Sequence, residues 1–411
     1  MTNLLDLHKT YEELRGAARK APRAASEETE QTPQNEEGEP AAAPHEAAQA
    51  PAAARAHFPR PDRTDPAAPP AVAPPAAVPR ARAAATTELA AEELYTRALS
   101  GVCRMFEAAV MQEITPGRLL VAVQELERLC PDLVASTVGS RGLLRKAMET
   151  YAEGEGFVLP HSVNVAILGV ELGNELGMAA AALPDLCLAG LVHDLGSVRL
   201  PPGLLTKAES LTPDEWEAVR ARPQNTHDMI MGLHERYARV ARIVRQVYER
   251  LDGSGYPEGL QGDDILREAL VLGTVDFFES FAHPRPYKAT LPGTANHGIQ
   301  MLMQMADKFG SATLKALVGS VGLFPIGSYV RLSSAEIGRV VDVKKENPMR
   351  PEVEILLDAE RRVPRTPRTL DLLSIPHIYV ARALTASDLR ELGLLPKPHS
   401  VAYPGPAGGK E

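Results

Sequence analysis

His193 and Asp194 stand side by side in the run Leu191-Val192-His193-Asp194-Leu195-Gly196. One neutral nitrogen and one hard oxygen suit a divalent first-row metal. Neighbours in sequence cannot face the same way on a straight helix, so a shared role needs a kink or a helix end, which Gly196 allows. Two more residues suit the same chemistry. His161 opens a helical stretch as Pro160-His161-Ser162-Val163, and Asp276 sits inside the apolar stretch Leu272-Gly273-Thr274-Val275-Asp276-Phe277-Phe278. A carboxylate among Val and Phe is costly to bury unless it is paired, hydrogen-bonded or metal-bound. Converged, His161, His193, Asp194 and Asp276 would hold one divalent ion and leave positions open for water, which separates a catalytic site from a structural one. Taken singly, each has a plainer reading. The pair marks a helix reaching solvent, His161 caps a helix and Asp276 joins a salt bridge.

The elements that must position these residues read mainly as helices. Residues 1–20 carry Leu4, Leu5, Leu7, Tyr11 and Leu14 roughly on one side, a short amphipathic start. From Ala21 to about Ala85 the chain is Ala, Pro, Glu and Arg with almost no large apolar residue, so residues 1–86 are expected to form that start and a disordered tether. Helical periodicity begins near Thr87, and residues 87–152 form a helical region. Residues 153–323 read as helices punctuated by Gly and Pro. Thr212-Pro213-Asp214-Glu215 marks one start, with Thr212 as N-cap and Glu215 closing a capping box. Residues 324–382 alternate apolar and polar side chains in Ser328–Ser333, Ile337–Val343 and Glu352–Leu357, with Thr369–Leu373 as a further strand. Residues 383–411 read as a tail with one short helix. The expected fold is mainly α: a helical bundle, a small β module behind it, and a long disordered N-terminal segment.

The chain has 411 residues, and 44 basic against 53 acidic residues leave a formal charge of −9. That argues against a general nucleic-acid or anionic-membrane binder. Cys103, Cys130 and Cys187 stand far apart with no Cys-x-x-Cys pair, which fits a reducing compartment and speaks against thiolate zinc. The start Met1-Thr2-Asn3-Leu4-Leu5-Asp6 lacks the features of a signal peptide. The apolar stretch from Ala179 to Val192 is short and broken by Pro184 and Asp185, so it reads as a buried helix. A cytoplasmic protein without membrane or nucleic-acid partners is expected.

The order His161, His193-Asp194, Asp276 resembles the HD phosphohydrolase superfamily. The run Glu249-Arg250-Leu251-Asp252-Gly253-Ser254-Gly255-Tyr256-Pro257-Glu258-Gly259-Leu260 resembles its HD-GYP subfamily, whose activity is hydrolysis of cyclic di-GMP in bacteria. The likeness covers about Gly156 to Leu323, and the strands after Phe324 resemble the β extension often found behind such domains. The resemblance implies an HD-type helical bundle and a metal-dependent hydrolase attacking a phosphodiester. It assigns His161, His193, Asp194 and Asp276 to the first metal, iron, manganese or similar, with Asp194 also serving catalysis. It assigns Arg285 and Lys288 to the phosphates of a cyclic dinucleotide, where Arg grips bidentately and Lys adds a mobile charge. Gly255, Tyr256 and Pro257 form the motif loop, in which Tyr256 and Pro257 shape a rigid turn. In the family that loop is also a suspected contact for diguanylate cyclase domains.

Departures from the pattern matter as much. Ser197 stands where active members carry Lys, Arg222 where a His precedes Pro223, and Val247 with Tyr248 where two His residues are usual. Phe157 replaces an acidic residue used by some members. Those three histidines complete a second metal site, so the resemblance implies one site kept and one lost. His227 lies five positions after Arg222, about 140° around an α-helix, and faces elsewhere. Arg222 is read as a surrogate, its guanidinium pairing with Asp194 in place of the second ion. Two functions follow. One is a one-metal, weakened cyclic di-GMP phosphodiesterase. The other is a non-catalytic cyclic-dinucleotide sensor or protein-docking module in bacterial signalling.

Overall fold

Helix α4 (Val158–Glu175) is buried on every face from Val158 through Gly173, as suits a helix at the centre of a bundle. This computed structural model describes residues 80–111, 117–149, 157–207, 211–283 and 294–394. The expected amphipathic start, most of the tether, and both Arg285 and Lys288 lie outside the described residues.

Ahead of α4 come α1 (Arg80–Val110), α2 (Arg118–Gly139) and α3 (Gly142–Glu149). Helix α1 starts at Arg80, inside the stretch expected to be tether, because Arg-Ala-Arg-Ala-Ala-Ala is a run of strong helix formers. After α4 the chain runs through α5 (Leu183–Val192), α6 (Pro213–Arg220), α7 (Arg222–Met231), α8 (Ala238–Gln246) and α9 (Arg267–Ala282), then α10 (Ala295–Gln304), α11 (Ala306–Phe309) and α12 (Ser311–Val321). The capping box at α6 forms as read: the Thr212 side chain accepts from the Glu215 amide, and Glu215 accepts from the Thr212 amide.

Helices α5 and α9 pack on α4, and α2 and α3 close over them. Among the described residues, 180–199 form the one helical stretch long and apolar enough to cross a membrane, and most of it is buried inside the bundle.

The small β module is a five-stranded antiparallel sheet in the order β4-β3-β2-β1-β5. Its strands are β1 (Tyr329–Leu332), β2 (Ile337–Asp342), β3 (Glu352–Leu357), β4 (Thr369–Asp371) and β5 (Val380–Ala383). Alternate burial along β3 matches its sequence alternation. Strand β5 pairs with β1, and α13 (Ala386–Glu391) follows it, Leu389 packing with Ile337, Leu357 and Leu384. The module therefore reaches past the boundary drawn at residue 382. Val-Ala-Arg-Ala carries too little alternation to announce a strand.

Two glycines bring the site's backbones together. A Cβ on Gly190 of α5 would sit 2.6 Å from the Ala166 Cα and 2.9 Å from its amide nitrogen on α4. A Cβ on Gly196 would sit 2.3 Å from the carbonyl oxygen of Arg222. Gly196 thus serves close approach of the turn after Asp194 to α7, whereas the change of direction occurs at His193 and Asp194 themselves. Gly190→Ala is expected to cost about 1–3 kcal/mol of unfolding free energy by denaturant titration, as overpacking against backbone does. Gly319→Ala, in open space on α12, should instead gain up to about 1 kcal/mol. Equal stability of Gly190→Ala and wild type would contradict so close an α4–α5 contact.

Candidate metal centre

His161 lies in the first turn of α4, His193 caps the C-terminus of α5, and Asp276 lies on α9. The α5 helix ends at Val192. His193 keeps helical dihedrals, Asp194 turns to φ −96° and ψ 9°, and a 3-10 turn follows over Leu195–Arg199. That change of helix type lets adjacent side chains address one centre.

The His161 and His193 ring centroids are 5.1 Å apart. His161 Nε2 is 3.0 Å from Asp276 Oδ1 and 3.8 Å from Asp194 Oδ2. His193 Nε2 is 3.7 Å from Asp276 Oδ1 and 3.8 Å from Asp194 Oδ1. One donor atom each of His161, His193 and Asp276 lies within 4.8 Å of the others, a spacing that an ion can bridge. Asp194 stands beside this trio with its Oδ2 toward His161.

Hydrogen bonding fixes which nitrogen of each ring is available. His193 Nδ1 is 2.8 Å from the carbonyl oxygen of Gly190, which only accepts, so the proton sits on Nδ1 and the lone pair on Nε2. His161 Nδ1 bonds Glu279 Oε2, which places a proton on Nδ1, while its Nε2 faces Asp276 Oδ1 at 3.0 Å. Such partners on the far nitrogen orient and strengthen a ligating imidazole. His193 Nε2 and Asp194 Oδ2 are buried without a hydrogen-bond partner. Orphaned buried acceptors on two sides of one space are what a cation there would satisfy, so the donor set fits a divalent ion.

Glu279 escaped the sequence reading. It lies one turn beyond Asp276 on α9 and is 2 % exposed. Besides His161, it accepts from His283 Nδ1 at 2.9 Å and Asn164 Nδ2 at 3.2 Å. Burial works against its charge, but His161 and His283 outweigh that and hold the carboxyl far below the usual range. The cost argument made for Asp276 applies equally to an acid in Phe277-Phe278-Glu279-Ser280-Phe281, and would have found it.

On the opposite side of Asp194 lie Arg222 and Tyr248. Arg222 is 4 % exposed, and its Nη1 donates to Asp194 Oδ1 at 2.9 Å. Its Nε donates to the Val219 carbonyl, and Nη2 reaches the Tyr248 hydroxyl at 3.4 Å. The Tyr248 hydroxyl donates to Asp194 Oδ1 at 3.3 Å, and burial pushes its pKa well up, so it stays a neutral donor. Burial disfavours the Asp194 carboxylate, yet Arg222, His193 and His161 more than offset it and bring the pKa down to about 2. Tyr248 had been read only as a missing imidazole. Val247 is buried in the core, and Ser197 is buried in the turn after Asp194.

The motif loop reaches the centre through Tyr248. Tyr256 stacks on Tyr248 with centroids 5.1 Å apart and planes 8° from parallel, and its peptide bond to Pro257 is cis. Buried Glu249 fixes the loop by accepting from the Glu258 and Leu260 amides at 2.7 and 3.0 Å. His227 pairs with Asp228, and His234 caps the turn at Glu235–Tyr237. Among the described residues neither joins the trio. Phe157 lies at the N-cap of α4, its ring 6.3 Å from that of His161.

Comparison with known proteins places this geometry. Residues 147–313 match the HD domain family, and residues 329–392 match the KOW domain associated with HD domains. The chain is similar to "Cyclic di-GMP phosphodiesterase PA4108" of Pseudomonas aeruginosa, 29 % identical over 283 residues, covering 68 % of this chain and 67 % of that one. It is 28 % identical to "Cyclic di-GMP phosphodiesterase PdeB" of Borreliella burgdorferi over 197 residues, 48 % of this chain and 52 % of that protein. It is 33 % identical to "3'3'-cGAMP-specific phosphodiesterase 3" of Vibrio cholerae over 132 residues, 32 % and 28 % of the two chains. The chain thus spans about two thirds of the first relative and about half or less of the other two. The buried histidines and aspartates sit within the stretch that matches the HD domain family, so residues 147–313 form an HD domain, and the strands behind it fall in the match to the HD-associated KOW domain.

Proposed function

We propose that this protein is a metal-dependent phosphodiesterase of the HD-GYP type that hydrolyses a cyclic dinucleotide, cyclic di-GMP foremost, at a single-ion centre. The observation that carries this reading is the pair of orphaned acceptors, His193 Nε2 and Asp194 Oδ2, buried beside the His161–Asp276 contact. The relatives named for cyclic di-GMP and 3'3'-cGAMP hydrolysis support a cyclic dinucleotide as substrate.

A bound divalent ion supplies Lewis acidity toward a phosphoryl oxygen and lowers the pKa of water. His161, His193 and Asp276 are its proposed ligands, and Asp194 completes the set through Oδ2. Because Asp194 stays ionised, its Oδ2 has two lone pairs to offer, one that would hold the ion and one that would accept a hydrogen bond from the attacking water and orient it. Arg222 neutralises Oδ1 from the other side and keeps donors for a phosphate oxygen, taking the place of a second ion. Arg285 and Lys288 are proposed to hold the remaining phosphate charge, and the Gly255-Tyr256-Pro257 loop to offer a surface for diguanylate cyclase domains.

A second reading is favoured by the same Arg222 and Tyr248. A site whose second half is filled by a guanidinium and a phenol would lack one of the two Lewis acids that stabilise an in-line displacement. Turnover would fall by several powers of ten, since about 1.4 kcal/mol is tenfold. The chain would then act as a cyclic-dinucleotide sensor.

Asp194→Asn should lower cyclic di-GMP hydrolysis in the presence of Mn²⁺ by about 10²–10⁴-fold, the usual worth of a positioned acid–base group, read by chromatography of the linear product. Unchanged turnover removes Asp194 from the reaction, whereas tight binding with no turnover in wild type selects the sensor. Metal analysis of the wild-type chain should find one ion. Arg222→His, Val247→His and Tyr248→His combined should raise this to two and speed hydrolysis. Two ions in the unaltered protein would refute the surrogate role of Arg222.

A further inference from the structure

Asn164 lies nearly one turn after His161 on α4 and is fully buried. Its Oδ1 accepts from the Tyr95 hydroxyl at 2.7 Å, and its Nδ2 donates to Glu279 Oε1 at 3.2 Å. The other oxygen of Glu279 accepts from His161 Nδ1. Tyr95, on α1, is 1 % exposed. A continuous series therefore runs from α1 through α4 and α9 back to a proposed metal ligand. Each polarity in it is fixed. A carboxylate only accepts, so Asn164 must turn its amide nitrogen to Glu279, which leaves its oxygen for the tyrosine hydroxyl. The reversed amide would set two oxygens against each other in a medium of low dielectric, where an unpaired polar group is expensive.

We infer that Tyr95 and Asn164 are positioning residues for the metal centre, holding Glu279 on His161 Nδ1 so that the ring keeps Nε2 turned toward Asp276 and the ion, and that they link docking of α1 to metal uptake. Linkage between binding free energies is reciprocal. If a docked α1 raises the affinity for metal, bound metal must tighten α1 by the same factor. None of these residues is proposed to touch substrate. The inference rests on the metal-centre reading above, and it stands independently of whether the bound nucleotide is hydrolysed.

The test titrates Mn²⁺ into the full chain against a competing chelator. Asn164→Ala should weaken Mn²⁺ binding by about 10-fold, at the low end for a residue supporting a ligand. Tyr95→Phe, which keeps the ring's volume in the core, should weaken it by about 3-fold, the worth of one neutral hydrogen bond. Asn296→Ala removes a bond to the Leu323 carbonyl and serves as a control, losing stability without changing Mn²⁺ affinity. Mn²⁺ should also slow amide exchange across residues 89–110 in wild type, and do so less in Asn164→Ala. Wild-type affinity in both variants, or exchange in α1 indifferent to Mn²⁺, overturns the inference while leaving the proposed function standing. A wild-type chain that binds no Mn²⁺ overturns both.

Discussion

Three carboxylates, Asp194, Asp276 and Glu279, are buried together where apolar helices meet, and the rest of the molecule is arranged around that electrostatic demand. Ionised groups removed from water are held in place only if countercharge and hydrogen bonds replace the lost hydration. Each carboxylate here meets the demand differently. Glu279 is satisfied by His161, His283 and Asn164, so it is a finished internal network. Asp194 has one oxygen satisfied by Arg222 and Tyr248 and the other without a hydrogen-bond partner. Asp276 meets the two imidazole Nε2 atoms. The unmet part of the demand is local, and it lies between His193, Asp194, Asp276 and His161.

Arg222 sets the electrostatics on the other side of Asp194. A guanidinium delivers one positive charge and a planar fork of donors, but it has no vacant orbital for a phosphoryl oxygen. It can neutralise Asp194 and grip an anion, as an ion does, but it does not polarise the reacting bond as a Lewis acid does. The Tyr248 hydroxyl adds a second donor to the Asp194 oxygen that Arg222 already holds. The Tyr256 ring stacked on Tyr248 then ties the motif loop to this side of the centre.

How much of this was legible in the sequence depended on range. The capping box at Thr212 is written in adjacent residues, and so are the alternations of β1 and β3, where side-chain period and burial coincide. The grouping of His161, His193 and Asp276 was legible because acids and imidazoles in apolar runs need a reason to be there. Glu279 carried the same signal and was passed over. Tyr95 and Asn164 carried none: 69 positions separate them, and a buried Tyr or Asn alone says nothing about its partner. Tyr248 illustrates a different limit. In the sequence it reads only as a departure from the family pattern, whereas the fold shows its hydroxyl beside Asp194.

Helix α4 connects these levels. Its first turns present His161 and Asn164 to the centre, and its last turns carry Glu171 and Glu175, both paired with Lys345 from the segment after β2. At 1.5 Å per residue, about 21 Å of one rigid helix separates His161 from Glu175. An exposed Lys–Glu contact contributes little by itself, usually less than about 1 kcal/mol. Glu171, however, is 5 % exposed, so losing Lys345 would leave a largely buried carboxylate short of countercharge. The KOW domain thereby braces the helix that carries His161, and the bundle and the β module answer to one shared element.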